Sequence, residues 1–288
     1  MATARATAVA ATALVVAMVL GAPAAAGSPS GSSHYMAAAV QFESQAAPSG
    51  APRDTLLLNI AGMAALANAA AGEGADVVVF PEFGAYGGGF TGKCSAPTDK
   101  SAYCETYPEG GAGANPCVSG SGPASLVAAS CAARNASVMA SFNLCDARPE
   151  GNYNAQLVFG ADGTLLANYH KSHPWQQKCF VEPPAADIEH VIVDAPFGVK
   201  FGVFTCKDIL YNDPAAVLAK QYGIKHFLYS AAIPLIGADA ARLFTVAHNV
   251  TLVMGNLQSG QTGVFTDGHR LTAAPKSGNQ ITMAAVLK

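Results

Sequence analysis

The stretch that decides the fold is FGVFTCKDILYNDP, Phe201–Pro214, in which an apolar run stops at a cysteine. The aromatic and β-branched residues before Cys206 are typical of a buried β-strand. A charged pair, Lys207 and Asp208, follows the cysteine at once. In α/β proteins, ligands tend to bind outside the carboxyl ends of strands. The stretch therefore indicates a reactive thiol at the end of a strand in an α/β fold.

Two other apolar runs stop in the same manner. DVVVFPE ends at Glu82, and LLANYHK ends at Lys171. A thiol attacks as the thiolate, so it needs a base for its proton and a cation that favours the anion. If the three strand ends meet, Glu82, Lys171 and Cys206 can fill the roles of base, cation and nucleophile. The alternative is an exposed glutamate, an exposed lysine and an inert buried cysteine.

Length and composition limit the function classes. The chain has 288 residues, of which 51% are hydrophobic and 12% charged, so it is long enough and apolar enough for a sizeable core. The net charge of −3 provides no basic surface for nucleic acid. These values exclude a disordered or nucleic-acid-coating protein and favour a small-molecule partner.

The N-terminus has the pattern of a secretory signal. Arg5 precedes an apolar run from Ala8 to Leu20, and small residues around Ala26 suit cleavage. We therefore predict a signal peptide over 1–26, a linker over 27–35, and one domain over 36–288. No later stretch is expected to cross a bilayer. The mature protein is expected to be secreted or to lie in the lumen of the secretory pathway.

An oxidising compartment allows disulfides, and the chain has 7 cysteines, an odd number. Cys206 ends a strand, whereas the others lie in or beside loops and short amphipathic segments. We predict that these six form disulfides, for which about 15 pairings are possible; they are Cys94, Cys104, Cys117, Cys131, Cys145 and Cys179. Sequons at Asn135 and Asn249 are candidate glycosylation sites.

Helix and strand patterns alternate at both ends of the chain and flank a central set of hairpins. NAQLVFGADGTLLANYHK predicts two strands that turn at Asp162-Gly163, and HVIVDAPFGVKFGVFTC predicts a second hairpin near Pro196–Gly198. Together these patterns predict α/β layers with mixed sheets in one domain.

Two histidines, His170 and His173, flank Lys171, which raises the possibility of a metal site. No third ligand follows at zinc-like spacing, so no metal and no cofactor are predicted. A papain-like Cys/His pair is the other alternative. It is disfavoured because Cys206 lies late in the chain rather than near the mature N-terminus.

The motifs VVVFPEFGAYG, LLANYHKSH and FGVFTCKDILYNDPA resemble those of the nitrilase, or carbon–nitrogen hydrolase, superfamily. The likeness is strongest to its secreted branch, the pantetheinases (vanins) and biotinidase, and extends from about Ala37 to Leu287. It implies a four-layer α-β-β-α sandwich. It also implies that Glu82 is the general base, Lys171 the oxyanion-stabilising cation and Cys206 the acylated nucleophile.

On this resemblance the protein is expected to hydrolyse a linear, non-peptide amide through a cysteine thioester. Pantetheine-like or biotinyl amides are favoured, and another small amide or nitrile is the alternative. The chain departs from the family at Lys207, where an aromatic residue is common, and at YSAAIPLIG, which lacks the usual tryptophan. A non-catalytic secreted glycoprotein on the same fold is therefore the third hypothesis.

Overall fold

The computed structural model describes residues 32–86, 94–99, 101–109, 113–175, 178–257 and 259–288. The α-helices in these ranges are α1 Pro52–Gly72, α2 Pro116–Ser119, α3 Ala124–Ala136, α4 Val217–Lys220 and α5 Gly237–His248. The strands are β1 His34–Phe42, β2 Val77–Val79, β3 Cys104–Glu105, β4 Met139–Arg148, β5 Gly151–Phe159, β6 Leu165–His170, β7 Ile192–Ala195, β8 Val199–Thr205, β9 His226–Ala231, β10 Thr251–Leu257, β11 Gly263–Thr266, β12 His269–Arg270 and β13 Gln280–Leu287. Short 3-10 turns cover Ala185–Asp187 and Cys206–Leu210, and a π-type turn covers Asn212–Ala216.

The local patterns account for the central hairpins. β5 and β6 pair antiparallel across the predicted turn, where Gly163 has a φ of 89°, a conformation that favours glycine. β7 and β8 pair antiparallel around Gly198, as predicted. The predicted signal peptide, residues 1–26, lies outside the described residues. β1 begins at His34, two residues inside the segment predicted as a linker.

Nine strands form one hydrogen-bonded path in the order β6-β5-β4-β2-β1-β10-β9-β8-β7. The strands from β4 to β8 along this path are parallel to their neighbours. β1 and β10 pair only through Gln41–Asn256 and Phe42–Leu257. The sheet therefore divides there into a first half-sheet, β6-β5-β4-β2-β1, and a second half-sheet, β10-β9-β8-β7.

The two half-sheets face each other. Across their inner faces, the Ser230 hydroxyl donates to the Phe80 carbonyl at 2.7 Å and Thr205 donates to Gln156 at 2.7 Å. Helices α1 and α3 pack on the outer face of the first half-sheet, and α4 and α5 pack on that of the second. The predicted four-layer α-β-β-α sandwich is confirmed, with its two β layers continuous through β1 and β10.

Helix α1 corrects one expectation. It is long and apolar enough to cross a membrane, with a mean hydropathy of 1.4, whereas no such stretch was expected after the signal. In the fold, α1 packs Leu56, Ile60 and Met63 into the core beneath the first half-sheet. Its apolar composition is accounted for by this packing.

The cysteines divide as predicted. Cys206 is a free, buried cysteine, and the other six form three disulfides. Their pairing, which the sequence left open, is Cys94–Cys179, Cys104–Cys145 and Cys117–Cys131. Cys94–Cys179 links the segment before β3 to the segment after β6. Cys104–Cys145 links β3 to β4, and Cys117–Cys131 links α2 to α3.

Candidate active site

The three predicted site residues lie together at one end of the sandwich. Glu82 follows β2, Lys171 follows β6 and Cys206 follows β8. Gly255 in β10 helps to position Glu82, because the backbone of Val79 and Phe80 passes close to it. A Cβ at that position would lie 2.5 Å from the Val79 carbonyl oxygen, so glycine lets the backbone that leads to Glu82 pass β10.

Glu82 and Lys171 form a buried ion pair. The Lys171 ammonium donates to Glu82 Oε1 at 2.6 Å, and each residue is only 1% exposed. The same oxygen accepts a second hydrogen bond from Asn154 Nδ2 at 2.7 Å. Buried charges of this kind persist because they are paired and hydrogen-bonded. Glu82 is thus held at one position by two donors from the first half-sheet.

Cys206 lies against this pair. The Glu82 carboxylate and the Ala232 backbone N–H both lie close enough to the thiol to shift its pKa, in opposite directions. Cys206 has a φ of 51°, in the left-handed region that residues with a Cβ seldom adopt. The Tyr229 hydroxyl holds the Cys206 carbonyl at 2.8 Å. The sharp turn out of β8 therefore presents the sulfur to Glu82 and Lys171.

The electrostatic setting keeps the thiol protonated at rest. Burial and the charge of Glu82 raise the pKa of Cys206 to about 12, although Lys171 and Ala232 act in the opposite direction. For Lys171, burial lowers the pKa, but coulombic interactions with Cys206 in its thiolate form and with the Glu82 and Asp208 carboxylates outweigh it, and the net shift is upward. Lys171 therefore stays charged, and the thiol needs an acceptor for its proton before it can attack.

Sequence reasoning missed the role of Asp208. Its carboxylate is fully buried and accepts hydrogen bonds from the Thr205 backbone N–H at 3.0 Å, the Tyr169 hydroxyl at 2.7 Å and the His173 backbone N–H at 2.9 Å. The bonds to Tyr169 and His173 connect the turn after Cys206 to the chain on either side of Lys171. The sequence shows only a carboxylate two residues after the thiol. Its partners Tyr169 and His173 lie 39 and 35 residues away, so no local pattern reveals these contacts.

Asn154 was also missed. It lies on β5, hydrogen-bonds Glu82 and accepts a hydrogen bond from Asn143 Nδ2 at 2.6 Å. Its motif, YNAQLVF, reads as an ordinary strand with alternating polar residues. Only the position of β5 beside β4 and opposite the second half-sheet brings its amide to the glutamate.

The two histidines that raised the question of a metal bind different carboxylates. His173 Nδ1 lies 3.0 Å from Asp208, whereas His170 lies 2.9 Å from both Asp146 and Glu189. Among the described residues, no group of three or more His, Cys, Asp or Glu side chains has the arrangement of a metal site. Both candidate glycosylation residues, Asn135 and Asn249, are exposed. Their modification stays a prediction.

Known proteins resemble this chain in sequence to different extents. Residues 36–236 match the sequence model of the carbon–nitrogen hydrolase family. The chain is 32% identical to the biotinidase of Takifugu rubripes over 225 residues, which are 68% of this chain and 43% of that protein. It is 35% identical to the pantetheinase of Mus musculus over 179 residues, 57% of this chain and 33% of that one. The chain thus spans less than half the length of these relatives.

The fold has a solved counterpart. Saccharomyces cerevisiae Nit3, a member of branch 10 of the nitrilase superfamily, superimposes with a TM-score of 0.69 at 19% identity, covering 91% of this chain and 93% of that one. At that identity the likeness concerns the fold alone. Together with the family match over 36–236, it confirms the resemblance seen in the three motifs: the chain belongs to the carbon–nitrogen hydrolase family.

Proposed function

We propose that the protein is a thiol amidase that hydrolyses a linear, non-peptide amide, with Glu82, Lys171 and Cys206 as its catalytic residues. One observation carries the proposal: a buried carboxylate pairs with a buried lysine at 2.6 Å and lies close enough to the Cys206 thiol to raise its pKa. A base, a cation and a nucleophile in one buried cluster are the parts that acyl transfer to a thiol requires.

The first half of the reaction forms a thioester. Glu82 takes the proton from the Cys206 thiol as the sulfur attacks the amide carbonyl carbon, and the Lys171 ammonium stabilises the oxygen that becomes negative. The protonated Glu82 then gives the proton to the nitrogen, the C–N bond breaks and the amine leaves. Because burial and Glu82 raise the pKa of Cys206 to about 12, the thiol is protonated before the reaction and Glu82 takes its proton during attack.

The second half releases the acid. Glu82 takes a proton from water as the water oxygen attacks the thioester carbonyl, and Lys171 again stabilises the oxyanion. The C–S bond breaks, the sulfur regains a proton by way of Glu82, and a carboxylic acid leaves. One amide and one water thus give one amine and one acid, and the enzyme returns to its starting state.

The relatives' names support a substrate class. Similarity to a biotinidase and a pantetheinase favours biotinyl or pantetheine-type amides over nitriles. Three disulfides beside one free thiol support folding in an oxidising compartment. With the apolar N-terminus, they support secretion or residence in the lumen of the secretory pathway.

The test is direct detection of the acyl-enzyme. The protein is incubated with biocytin, pantetheine and a series of short amides, and intact mass is followed over seconds to minutes. We expect an adduct of the acyl mass that is absent in Cys206→Ala, together with release of the amine. A protein that releases no amine and gains no Cys206-dependent mass with any of these amides is a non-catalytic member of the fold, and the proposal is wrong.

A further inference from the structure

The residue after the candidate nucleophile, Lys207, has an unusual environment. Its ammonium lies 5.9 Å from the centre of the Trp175 ring and 5.3 Å from that of the Tyr211 ring. Its one hydrogen bond among the described residues is a long one, 3.4 Å, to the Pro174 carbonyl. Lys171 and Lys200 each pair with a carboxylate, whereas Lys207, Lys220 and Lys225 form no ion pair within the described residues. Within the described ranges, no carboxylate lies at ion-pairing distance from Lys207.

The nearest carboxylate in sequence is not free to pair with it. Asp208 points into the protein, where Oδ1 accepts from the backbone and ring of His173 and Oδ2 accepts from Tyr169 and the Thr205 backbone. The ammonium of Lys207 is therefore a half-buried cation whose neighbours are aromatic faces and one carbonyl oxygen. Such a cation is stabilised by the rings but retains donors that no neighbour in the described chain uses.

The location links this cation to the reacting bond. Pro174 and Trp175 follow Lys171 by three and four residues, and Tyr211 ends the turn that begins at Cys206. Adjacent Cα atoms are about 3.8 Å apart, and a lysine stem adds about 6 Å, so the ammonium lies within about 10 Å of the Cys206 backbone. Trp175 is 56% exposed and Tyr211 is 40% exposed, so this position faces solvent. The cation thus lies on the solvent-accessible side of the turn that begins at Cys206.

We propose that Lys207 is a specificity-determining cation that selects amide substrates bearing a second, carboxylate group. The inference rests on the proposed amidase function and narrows its substrate class: it favours biocytin, whose amine side carries a carboxylate, over pantetheine, which has none. A carboxylate at this position would gain charge-assisted hydrogen bonds from the ammonium in a partly desolvated setting. The aromatic residue that other family members often have here could not supply them.

The test compares matched amides. Glutaramate and the neutral pentanamide differ by a carboxylate on the acyl side, and N-butanoyl-β-alanine and N-butanoyl-propylamine differ by one on the amine side. We expect the wild type to prefer at least one charged member in kcat/KM. Lys207→Met, which keeps most of the stem, should reduce that preference by roughly 10-fold to 100-fold, as expected for a charge-assisted hydrogen bond.

Two controls separate a specific role from a structural one. Lys207→Arg should retain the preference, and the exposed, paired Lys200→Met should leave it unchanged. The loss in Lys207→Met should appear mainly in KM, and the wild-type preference should weaken as salt rises from 0.05 to 0.5 M, roughly. An equal effect of Lys207→Met on charged and neutral amides, or no effect, would overturn the inference.

Failure of the proposed function gives a different result. In that case neither member of a pair is hydrolysed, and binding replaces turnover as the measurement. Glutarate is titrated by calorimetry into Cys206→Ala and into the double variant Cys206→Ala/Lys207→Met. Binding that weakens at least 10-fold in the double variant supports the carboxylate subsite without the chemistry, whereas equal binding, or none to either protein, rejects it.

Discussion

Consecutive residues, His170 and Lys171, belong to two ionic clusters with different chemical roles. The cluster of Lys171 is buried, whereas that of His170 is partly exposed at Glu189. The inner cluster consists of Glu82, Asn154, Lys171 and Cys206, and it faces the second half-sheet. The outer cluster consists of Asp146, Arg148, His170 and Glu189, and it lies on the outer face of the first half-sheet. Because successive residues of a strand point to opposite faces of the sheet, His170 and its neighbour Lys171 enter different clusters.

The clusters differ in how their charges are satisfied. In the outer cluster, Asp146 is fully buried and accepts from Arg148 at 2.7 Å, His170 at 2.9 Å and Asn168 at 2.9 Å. The inner cluster holds a thiol beside a carboxylate that can take its proton. A thiol beside a carboxylate is suited to nucleophilic chemistry, whereas a carboxylate that accepts from a guanidinium, an imidazole and an amide is suited to holding strands together.

The largest expected effect on turnover comes from the thiol. Cys206→Ser should lower kcat by at least about 1,000-fold, since removal of a nucleophile costs several orders of magnitude. The free energy of unfolding should change by less than about 1 kcal/mol because the side chains are nearly isosteric. Amide turnover and thermal unfolding of the same preparation measure both. Retention of more than about 1% of activity would remove Cys206 from the chemistry.

Glu82→Gln should separate ionisation from turnover. Amide hydrolysis should fall by about 100-fold to 10,000-fold, because no group carries the proton from the thiol to the leaving amine. The pKa of Cys206 should fall from about 12, since the Glu82 charge is one of the causes of its elevation. Iodoacetamide labelling near pH 8 should therefore become faster than in the wild type. Slower labelling would mean that Glu82 activates the thiol in another way.

Lys171→Met should shift the pKa of Cys206 in the direction opposite to Glu82→Gln. Turnover should fall by about 100-fold to 1,000-fold, which is the cost measured when one oxyanion donor is deleted elsewhere. The pKa of Cys206 should rise further because Lys171 is a cause that lowers it. Labelling should then be slower than in the wild type at each pH between about 7 and 10. If both variants shift labelling in the same direction, the assigned division of roles is wrong.

In the outer cluster, a change should affect stability more than turnover. Asp146→Ala leaves Arg148 and His170 without their shared partner, and breaking a buried ion pair costs about 3–5 kcal/mol. The folded fraction should retain kcat within about threefold of the wild type. Urea unfolding and turnover per folded molecule measure the two effects. A loss of kcat above 100-fold in the folded protein would show that the clusters act as one.

The smallest effect is a pH dependence of stability. Burial alone would lower the pKa of His170, but hydrogen bonds and charges from Asp146 and Glu189 raise it to about 9. A histidine whose folded pKa exceeds its unfolded value of about 6.5 stabilises the fold fully below pH 6.5, and this contribution is lost as pH rises through 9. The difference corresponds to at most about 3–4 kcal/mol.

Urea unfolding at pH 6, 7.5 and 9.5 tests this dependence. The free energy of unfolding of the wild type should decline across the series. His170→Asn, which cannot be protonated, should show a smaller decline over the same interval. An equal decline in both proteins would assign the pH dependence to other groups.

Strand-end residues were predictable because their signals are local. An apolar run that stops at Glu82, at Lys171 or at Cys206 is visible without any knowledge of contacts. Asn154 and Asp208 were not predictable in this way. Each is a polar residue whose importance depends on partners 35 or more residues away, such as Glu82 for Asn154 and Tyr169 for Asp208.

The sequence by itself determined the strand and helix periodicity, the hairpin turns, and the one cysteine that stays out of the disulfides, because each depends on neighbouring residues or on an odd count. Only the tertiary structure decided which cysteines pair and that the half-sheets join through β1 and β10. It also decided the net ionisation of Cys206, since opposing effects of burial, Glu82 and Lys171 depend on distances that no local pattern encodes.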